Sequence, residues 1–157
     1  MKRMIGPTTF VIVVAAVFVL GILSRTQAGE RRECSEASLV GSFGFMSTGN
    51  LNALPPPSAG PFAEVGRQTF DGRGNTDGTA TATANGNLRH FTLQGTYVVN
   101  SDCTGSMTLN VSPIGATVPL DFVIDDNGSE LLAITTGGVT GNTESRVYRK
   151  QFPRSED

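Results

Sequence analysis

The segment TVPLDFVID (Thr117–Asp125) has a large apolar side chain at every second position, between Thr117, Pro119, Asp121, Val123 and Asp125. Val118, Leu120, Phe122 and Ile124 occupy every second position. Successive side chains of a β-strand point to opposite sides of a sheet, so this period of two predicts a strand with one buried face. Such a face requires a hydrophobic core that other strands of the same kind complete.

Seven further segments are predicted to be strands. Phe91–Val99 and Cys103–Ser112 show the same alternation, and turn-forming residues such as those in Asn85–Asn87 separate the segments. The less regular strands are Val40–Ser47, Phe62–Phe70, Thr76–Ala84, Glu130–Thr136 and Val139–Lys150. The apolar faces of the three clearest strands predict a common core of Phe91, Leu93, Val99, Met107, Leu109, Val118, Leu120, Phe122 and Ile124.

The short turns predict an all-β fold of about eight antiparallel strands in a meander. Closure into a small barrel would remove the two unpaired edges of such a sheet. A two-sheet β-sandwich is the alternative architecture, although no long Greek-key connection is present in the sequence. The one long connection, Thr48–Pro61, contains three consecutive prolines and is a candidate rim or lid.

The first 28 residues have the three parts of a signal peptide. Lys2 and Arg3 precede an apolar run over Phe10–Leu23, and small residues Thr26 and Ala28 follow it. The run is shorter than the roughly 20 residues that span a bilayer. We therefore expect cleavage after Ala28, export to the periplasm or the medium, and no stable membrane insertion afterwards. An uncleaved anchor is the alternative.

The predicted organisation is a signal peptide (1–28), a single barrel domain (29–150) and a polar C-terminal tail (151–157). Cleavage removes three basic residues and no acidic one, which moves the net charge from −2 to −5 and disfavours a nucleic-acid partner.

Cys34 and Cys103 are the only cysteines and predict a disulfide in an oxidising compartment. Neither has a nearby histidine or second ligand, so we expect no metal, no cofactor and no catalytic thiol; the single histidine, His90, is predicted to face outward.

Three segments carry a resemblance to known proteins: GSFGFMSTG (Gly41–Gly49), FDGRGNTDG (Phe70–Gly78) and GTYVVNSDCTGSMTL (Gly95–Leu109). The chain resembles a loosely defined group of exported bacterial proteins that repeat this Gly-x-Tyr, Asp-Cys-x-Gly hairpin. At the level of fold it is more distantly similar to lipocalin-like and allene oxide cyclase-like barrels. The resemblance implies a small exported barrel without a known activity, and no catalytic residue is carried over from it.

The strand Phe62–Phe70 contains the candidate ligand site. If its two phenylalanines face inward, Glu64 and Gln68 face inward with them and need a partner, such as a ligand. The simpler alternative is that Ala63 and Val65 face inward and that Glu64 is solvated. Near the end of the chain Arg146 and Tyr148 share a face, and we interpret them as a surface arginine and a core tyrosine. The predicted ligand-binding residues are Phe62, Glu64, Gln68, Phe70, Tyr97 and Phe122.

Three functional classes follow from these features. An exported barrel that binds a small apolar or amphipathic molecule is favoured, because eight strands enclose room for one such ligand. A structural or interaction protein of the cell envelope, with a filled core, is the second. A cofactor-free cyclase or isomerase that uses Glu64 or Tyr97 as acid or base is the third.

Overall fold

The computed structural model describes residues 33–137 and 141–152. Within these ranges the chain forms eight strands and two short 3₁₀ helices, Glu36–Ser38 and Asp126–Gly128. The strands are β1 (Val40–Leu51), β2 (Pro61–Asp71), β3 (Asn75–Ala84), β4 (Asn87–Val99), β5 (Thr104–Ser112), β6 (Ala116–Asp125), β7 (Glu130–Thr135) and β8 (Asn142–Lys150).

All eight predicted strands are present, with bounds that differ by a few residues. The two largest differences are equal: β1 continues past Ser47 to Leu51, and β4 begins at Asn87 instead of Phe91. The longer β1 shortens the predicted long connection to residues 52–60. The predicted start of the last strand, Val139, lies outside the described residues, as do the signal peptide, its cleavage site and residues 153–157 of the tail.

Each strand pairs in antiparallel fashion with the next, and β1 also pairs with β8. The sheet therefore closes into an eight-stranded meander barrel, which confirms the predicted barrel over the sandwich. Closure leaves no unpaired edge among the eight strands. None of the helices in the described ranges has the length and apolar character that a membrane-spanning helix needs.

The two ends of the barrel carry different connections. Because the meander is regular, β2, β4, β6 and β8 all begin at one end, which we call the loop end. The connection 52–60 lies there. The turns that follow β2, β4 and β6 lie at the opposite end, which we call the disulfide end.

The disulfide end is closed by the segment that precedes β1. A disulfide joins Cys34 to Cys103, as the sequence predicts. Leu39 is fully buried, and the Tyr97 hydroxyl donates hydrogen bonds to the carbonyl oxygens of Glu36 and Leu39 at 3.2 and 3.1 Å. The N-terminal segment is therefore held as a plug by the disulfide, by the Leu39 side chain and by hydrogen bonds, which include one from the Val99 amide to Glu36 Oε1.

Aromatic rings fill the middle of the barrel. Phe70 packs edge-on against Phe43 and Tyr97, with ring centroids 5.3 and 5.2 Å apart. Phe45 contacts Tyr148 at 5.2 Å. All nine predicted core residues belong to the resulting cluster, of which Phe91 and Val118 are only partly buried.

Two inward glycines make room for these rings. A Cβ atom at Gly66 would lie 2.6 Å from the Phe45 ring, and one at Gly105 would lie 2.3 Å from the Phe122 ring. Such distances are well inside van der Waals contact, so any side chain at either position would displace the ring. These glycines therefore allow close packing between neighbouring strands and do not leave the barrel empty at those points.

Candidate functional site

Strand β2 directs its polar side chains into the barrel. Glu64 is 5% exposed and Gln68 is fully buried, on the same face as Phe70. Val65 is 61% exposed, so the alternative in which Ala63 and Val65 face inward is wrong. Phe70 is part of the aromatic core, and the period of two then places Glu64 and Gln68 on the inner face as well.

The six predicted ligand-binding residues all have inward positions but do not form one group. Glu64 precedes Phe70 by six residues on β2, which separates them by about 20 Å along the strand. Phe62 and Glu64 lie toward the loop end. Phe70 and Tyr97 are in ring contact, and the Tyr97 hydroxyl holds the N-terminal plug. Phe122 lies beside Gly105, near the disulfide end. Their role as ligand contacts stays a prediction.

Glu64 belongs to a charged cluster inside the barrel, which we call the interior ionic cluster: Ser47, Glu64, Glu144 and Arg146. Strand register assembles it, because Ser47 pairs with Glu64 on β2 and with Arg146 on β8. The Glu144 Oε1 atom accepts hydrogen bonds from Arg146 Nε at 2.5 Å and from the Ser47 hydroxyl at 2.6 Å. Arg146 Nη2 lies 3.3 Å from Glu64 Oε2.

The cluster is deeply buried and incompletely hydrogen-bonded. The side chains of Arg146 and Glu64 are each 3% exposed. Glu64 Oε2 is in ion-pair contact with Arg146 but is not aligned for a hydrogen bond, and no protein group accepts from Arg146 Nη1. Buried charged groups are costly unless their hydrogen-bonding atoms have partners. These two atoms therefore lack the hydrogen bonds that would offset the cost of their burial.

Gln68, by contrast, is satisfied within the protein. Its amide nitrogen donates to the Thr76 hydroxyl at 2.9 Å, and its oxygen accepts from the Tyr148 hydroxyl at 3.3 Å. The Thr76 hydroxyl in turn donates to the carbonyl oxygen of Thr69. Gln68 thus links β2, β3 and β8 on the side of the interior ionic cluster that faces the disulfide end.

The pKa of Glu64 is raised from 4.5 to about 7. Burial is the main cause, since removal from water disfavours the carboxylate. The positive charge of Arg146 opposes this effect, and the negative charge of Glu144 adds to it. A carboxyl group with this pKa can donate or accept a proton at neutral pH, which is what an acid–base reaction or a proton-linked binding step requires.

The raised pKa predicts that the protein loses stability as the pH rises. The folded state binds the Glu64 proton more tightly than the unfolded state, so this stabilisation is complete below about pH 4.5 and is lost as the pH rises through about 7. A shift of this size corresponds to about 3 kcal/mol. Glu64→Gln should remove this pH dependence between pH 5 and 8, as measured by urea unfolding at a series of pH values.

Asp71→Asn is a matched control for this titration. Hydrogen bonds from Asn75 and from the backbone of Arg73 lower the pKa of Asp71, so its stabilisation is lost only in more acidic solution. The variant should therefore keep the wild-type slope between pH 5 and 8. An equally steep slope in Glu64→Gln would show that another group titrates in this range.

The interior of the loop end has a wall of small side chains. Ala80, Ala82 and Ala84 are buried on the inner face of β3. Phe62, Phe91 and Val118 also face inward but are only half-buried. Ala82 pairs with Glu64 in register, so the alanine wall adjoins the interior ionic cluster.

Residues 52–60 lie at the rim of the loop end. The Pro57 carbonyl oxygen accepts hydrogen bonds from the side-chain amides of Asn85 and Asn87 at 3.0 and 3.1 Å. On the other side, the backbone amide of Ala53 donates to the side-chain oxygen of Asn142 at 3.0 Å. The connection is thus hydrogen-bonded to the hairpin between β3 and β4 on one side and to the start of β8 on the other.

Two open grooves lie on the outer surface of the barrel. One, of about 550 Å³, is lined by the exposed apolar side chains of Val98, Val123, Leu132 and Ile134. The other, of about 580 Å³, passes His90, which faces outward as predicted. Both have the volume of a small-molecule site, but neither encloses a buried charged group.

Sequence reasoning missed three members of the interior ionic cluster. The prediction that Arg146 lies at the surface is wrong: it is buried beneath the Phe45 ring, with its guanidinium carbon 5.3 Å from the ring centroid. Glu144 and Ser47 were not singled out. Strand alternation could have identified these residues as inward-facing, because Glu144 and Arg146 share a face with Tyr148, and Ser47 shares one with Phe45.

Comparisons with models of protein families, with curated proteins and with solved structures find no match to this chain. Within residues 33–137 and 141–152, no three His, Cys, Asp or Glu side chains converge as metal ligands. The candidate site is therefore argued from its own geometry.

Proposed function

We propose that this protein is an exported barrel that binds a small apolar or amphipathic molecule inside the loop end. The interior of an eight-stranded barrel is either filled by side chains or holds one small ligand. The alanine wall of β3 and the half-buried Phe62, Phe91 and Val118 would contact the apolar part of the ligand. The interior ionic cluster would contact its polar part.

One observation carries the proposal: the buried interior ionic cluster has polar atoms without protein partners. Charges inside a barrel are expensive, and apolar residues of similar volume would serve a purely structural core at least as well. Arg146 and Glu64 are nevertheless present, with Arg146 Nη1 and Glu64 Oε2 free of hydrogen bonds. Binding sites combine apolar walls with a few such polar groups.

Ala82→Leu tests whether the loop end has room for a ligand. Ala82 is buried next to Glu64 in register, so a leucine there would fill the space that a ligand needs. Titration with the apolar fluorophore N-phenylnaphthylamine should give saturable binding to the wild type. In the variant we expect binding about tenfold weaker or more, with no loss in the free energy of unfolding.

Thr83→Leu is the matched control, because the neighbouring position faces outward on the same strand. It should bind the fluorophore like the wild type. If the wild type does not bind it, or if Ala82→Leu lowers the free energy of unfolding by about 1–3 kcal/mol, the loop end is already filled and the proposal fails.

The second candidate function, an interaction protein, is favoured by the apolar groove on the outer surface. Val98, Val123, Leu132 and Ile134 are about half exposed there. Ile134→Asp would abolish fluorophore binding at this groove and leave binding inside the barrel unchanged. Loss of binding in Ile134→Asp with retention in Ala82→Leu would favour the interaction protein.

Export is supported by the disulfide, since such bonds persist mainly outside reducing compartments. With the charged start and the short apolar run of the sequence, it favours removal of residues 1–28. The intact mass of the exported protein should correspond to a chain that begins at Gly29. A mass that includes Met1 would make it a membrane-anchored protein instead.

A further inference from the structure

The two unpartnered atoms of the interior ionic cluster belong to one ion pair. Arg146 Nη1 is a hydrogen-bond donor, and Glu64 Oε2 is an acceptor when the carboxyl is ionised. Arg146 Nη2, on the same guanidinium group as Nη1, is 3.3 Å from Glu64 Oε2. Both atoms are buried, so a group that contacts both must enter the barrel interior, where it must accept one hydrogen bond and donate another.

The charges of the cluster restrict what that group can be. Arg146 is matched by Glu144, whose Oε1 atom takes the Nε hydrogen bond, so an ionised Glu64 leaves one excess negative charge. The neighbouring strand positions on β1, β3 and β7, namely Ser47, Ala82 and Ala133, supply no opposing charge.

Each charged head group meets a specific obstacle in this cluster. A ligand carboxylate would add a second excess negative charge in a poorly solvated site. A ligand ammonium group has no acceptor for Arg146 Nη1 and would lie against a guanidinium. Only an uncharged donor–acceptor group meets neither obstacle.

We propose, building on the binding function above, that the ligand carries an uncharged polar head that both accepts and donates, such as a primary carboxamide or an alcohol. Its oxygen accepts from Arg146 Nη1, and its N–H or O–H donates to Glu64 Oε2. The apolar part lies along Ala80, Ala82 and Ala84. With Glu64 ionised, the site thus selects neutral amphipathic molecules over fatty-acid anions and alkylamines.

A matched series of eight-carbon compounds tests the selectivity in the exported protein. Octanamide, octanol, octanoate and octylamine are used to displace N-phenylnaphthylamine at pH 8.5, where the carboxylic acid and the amine are both charged. Octanamide and octanol should bind at least about tenfold more tightly than either charged compound, since one unsatisfied buried charge or donor has an effect of that order.

Glu64→Gln provides a second test that preserves the shape of the side chain. It removes the excess negative charge, so octanoate should gain about tenfold or more in affinity, whereas octanol should change much less. Glu130→Gln is the control, because Glu130 forms an ion pair with Arg149 at the surface. It should leave the order of the four compounds unchanged.

The outcomes separate this proposal from the one on which it rests. Failure of the fluorophore to bind would overturn the binding function itself. Binding of the fluorophore with equal affinities for the four compounds, or with octanoate or octylamine tightest, would overturn only the neutral head group. So would an unchanged octanoate affinity in Glu64→Gln.

Discussion

Replacing Arg146 with leucine should lower the free energy of unfolding by about 3–5 kcal/mol, because it leaves two buried carboxyl groups without their cation. Arg146 contacts both Glu64 and Glu144 and is 3% exposed. The loss should be larger at pH 8 than at pH 5, since Glu64 binds a proton in acidic solution and then needs no partner. Urea unfolding at the two pH values measures both effects.

Arg149→Leu is the matched control on the same strand. Arg149 pairs with Glu130 at 3.0 Å, but its side chain is 78% exposed, so its removal should cost no more than about 1 kcal/mol. Adding Glu64→Gln to Arg146→Leu should recover part of the loss at pH 8, because one of the two unpaired carboxylates is then absent. Equal losses in Arg146→Leu and Arg149→Leu would contradict the description of Arg146 as buried and paired.

Removing the disulfide should lower the free energy of unfolding by about 4 kcal/mol, because the bond closes a long loop and limits the unfolded chain. The two cysteines are 69 residues apart in sequence. The Cys34→Ala/Cys103→Ala variant and the reduced wild type should both show the loss in urea unfolding. Mass spectrometry of the oxidised protein should show two hydrogens fewer than after reduction.

Non-covalent contacts also hold the plug, and they limit the loss of stability expected when the disulfide is removed. Leu39 and the two hydrogen bonds of the Tyr97 hydroxyl also hold the segment at the disulfide end. Tyr97→Phe removes those hydrogen bonds but keeps the ring, and it should cost about 1–3 kcal/mol with the disulfide intact. If the cysteine variant loses less than Tyr97→Phe, the plug is held mainly by these hydrogen bonds and not by the covalent bond.

Much of the fold was predictable because strand periodicity is local. The alternation in Phe91–Val99, Cys103–Ser112 and Thr117–Asp125 identified these three strands, their buried faces and the common core without any information on pairing. Short turns predicted a meander, and the two cysteines predicted their bond. Strand ends were less accurate, because the continuation of β1 to Leu51 depends on its pairing with β8.

The candidate site was only partly predictable. Alternation along a strand divides its side chains between two faces, but it does not show which face is inner when both carry apolar residues. In β2, Val65 and Phe70 lie on opposite faces, and packing of Phe70 against Phe43 and Tyr97 decides between them. In β8, Arg146 considered alone would be expected to be exposed, because arginine is usually found at the surface. Its burial follows from that of Tyr148 two residues later.

By itself, the sequence determined the eight strands, the apolar faces of the three most regular ones and the disulfide, since each depends on local alternation or on the only two cysteines. The tertiary structure alone decided that the interior contains an ionic cluster. Barrel closure places β1 between β2 and β8, so that Ser47 is in register with Glu64 on one side and Arg146 on the other. That contact joins strands from opposite ends of the sheet, and no local pattern in either strand contains it.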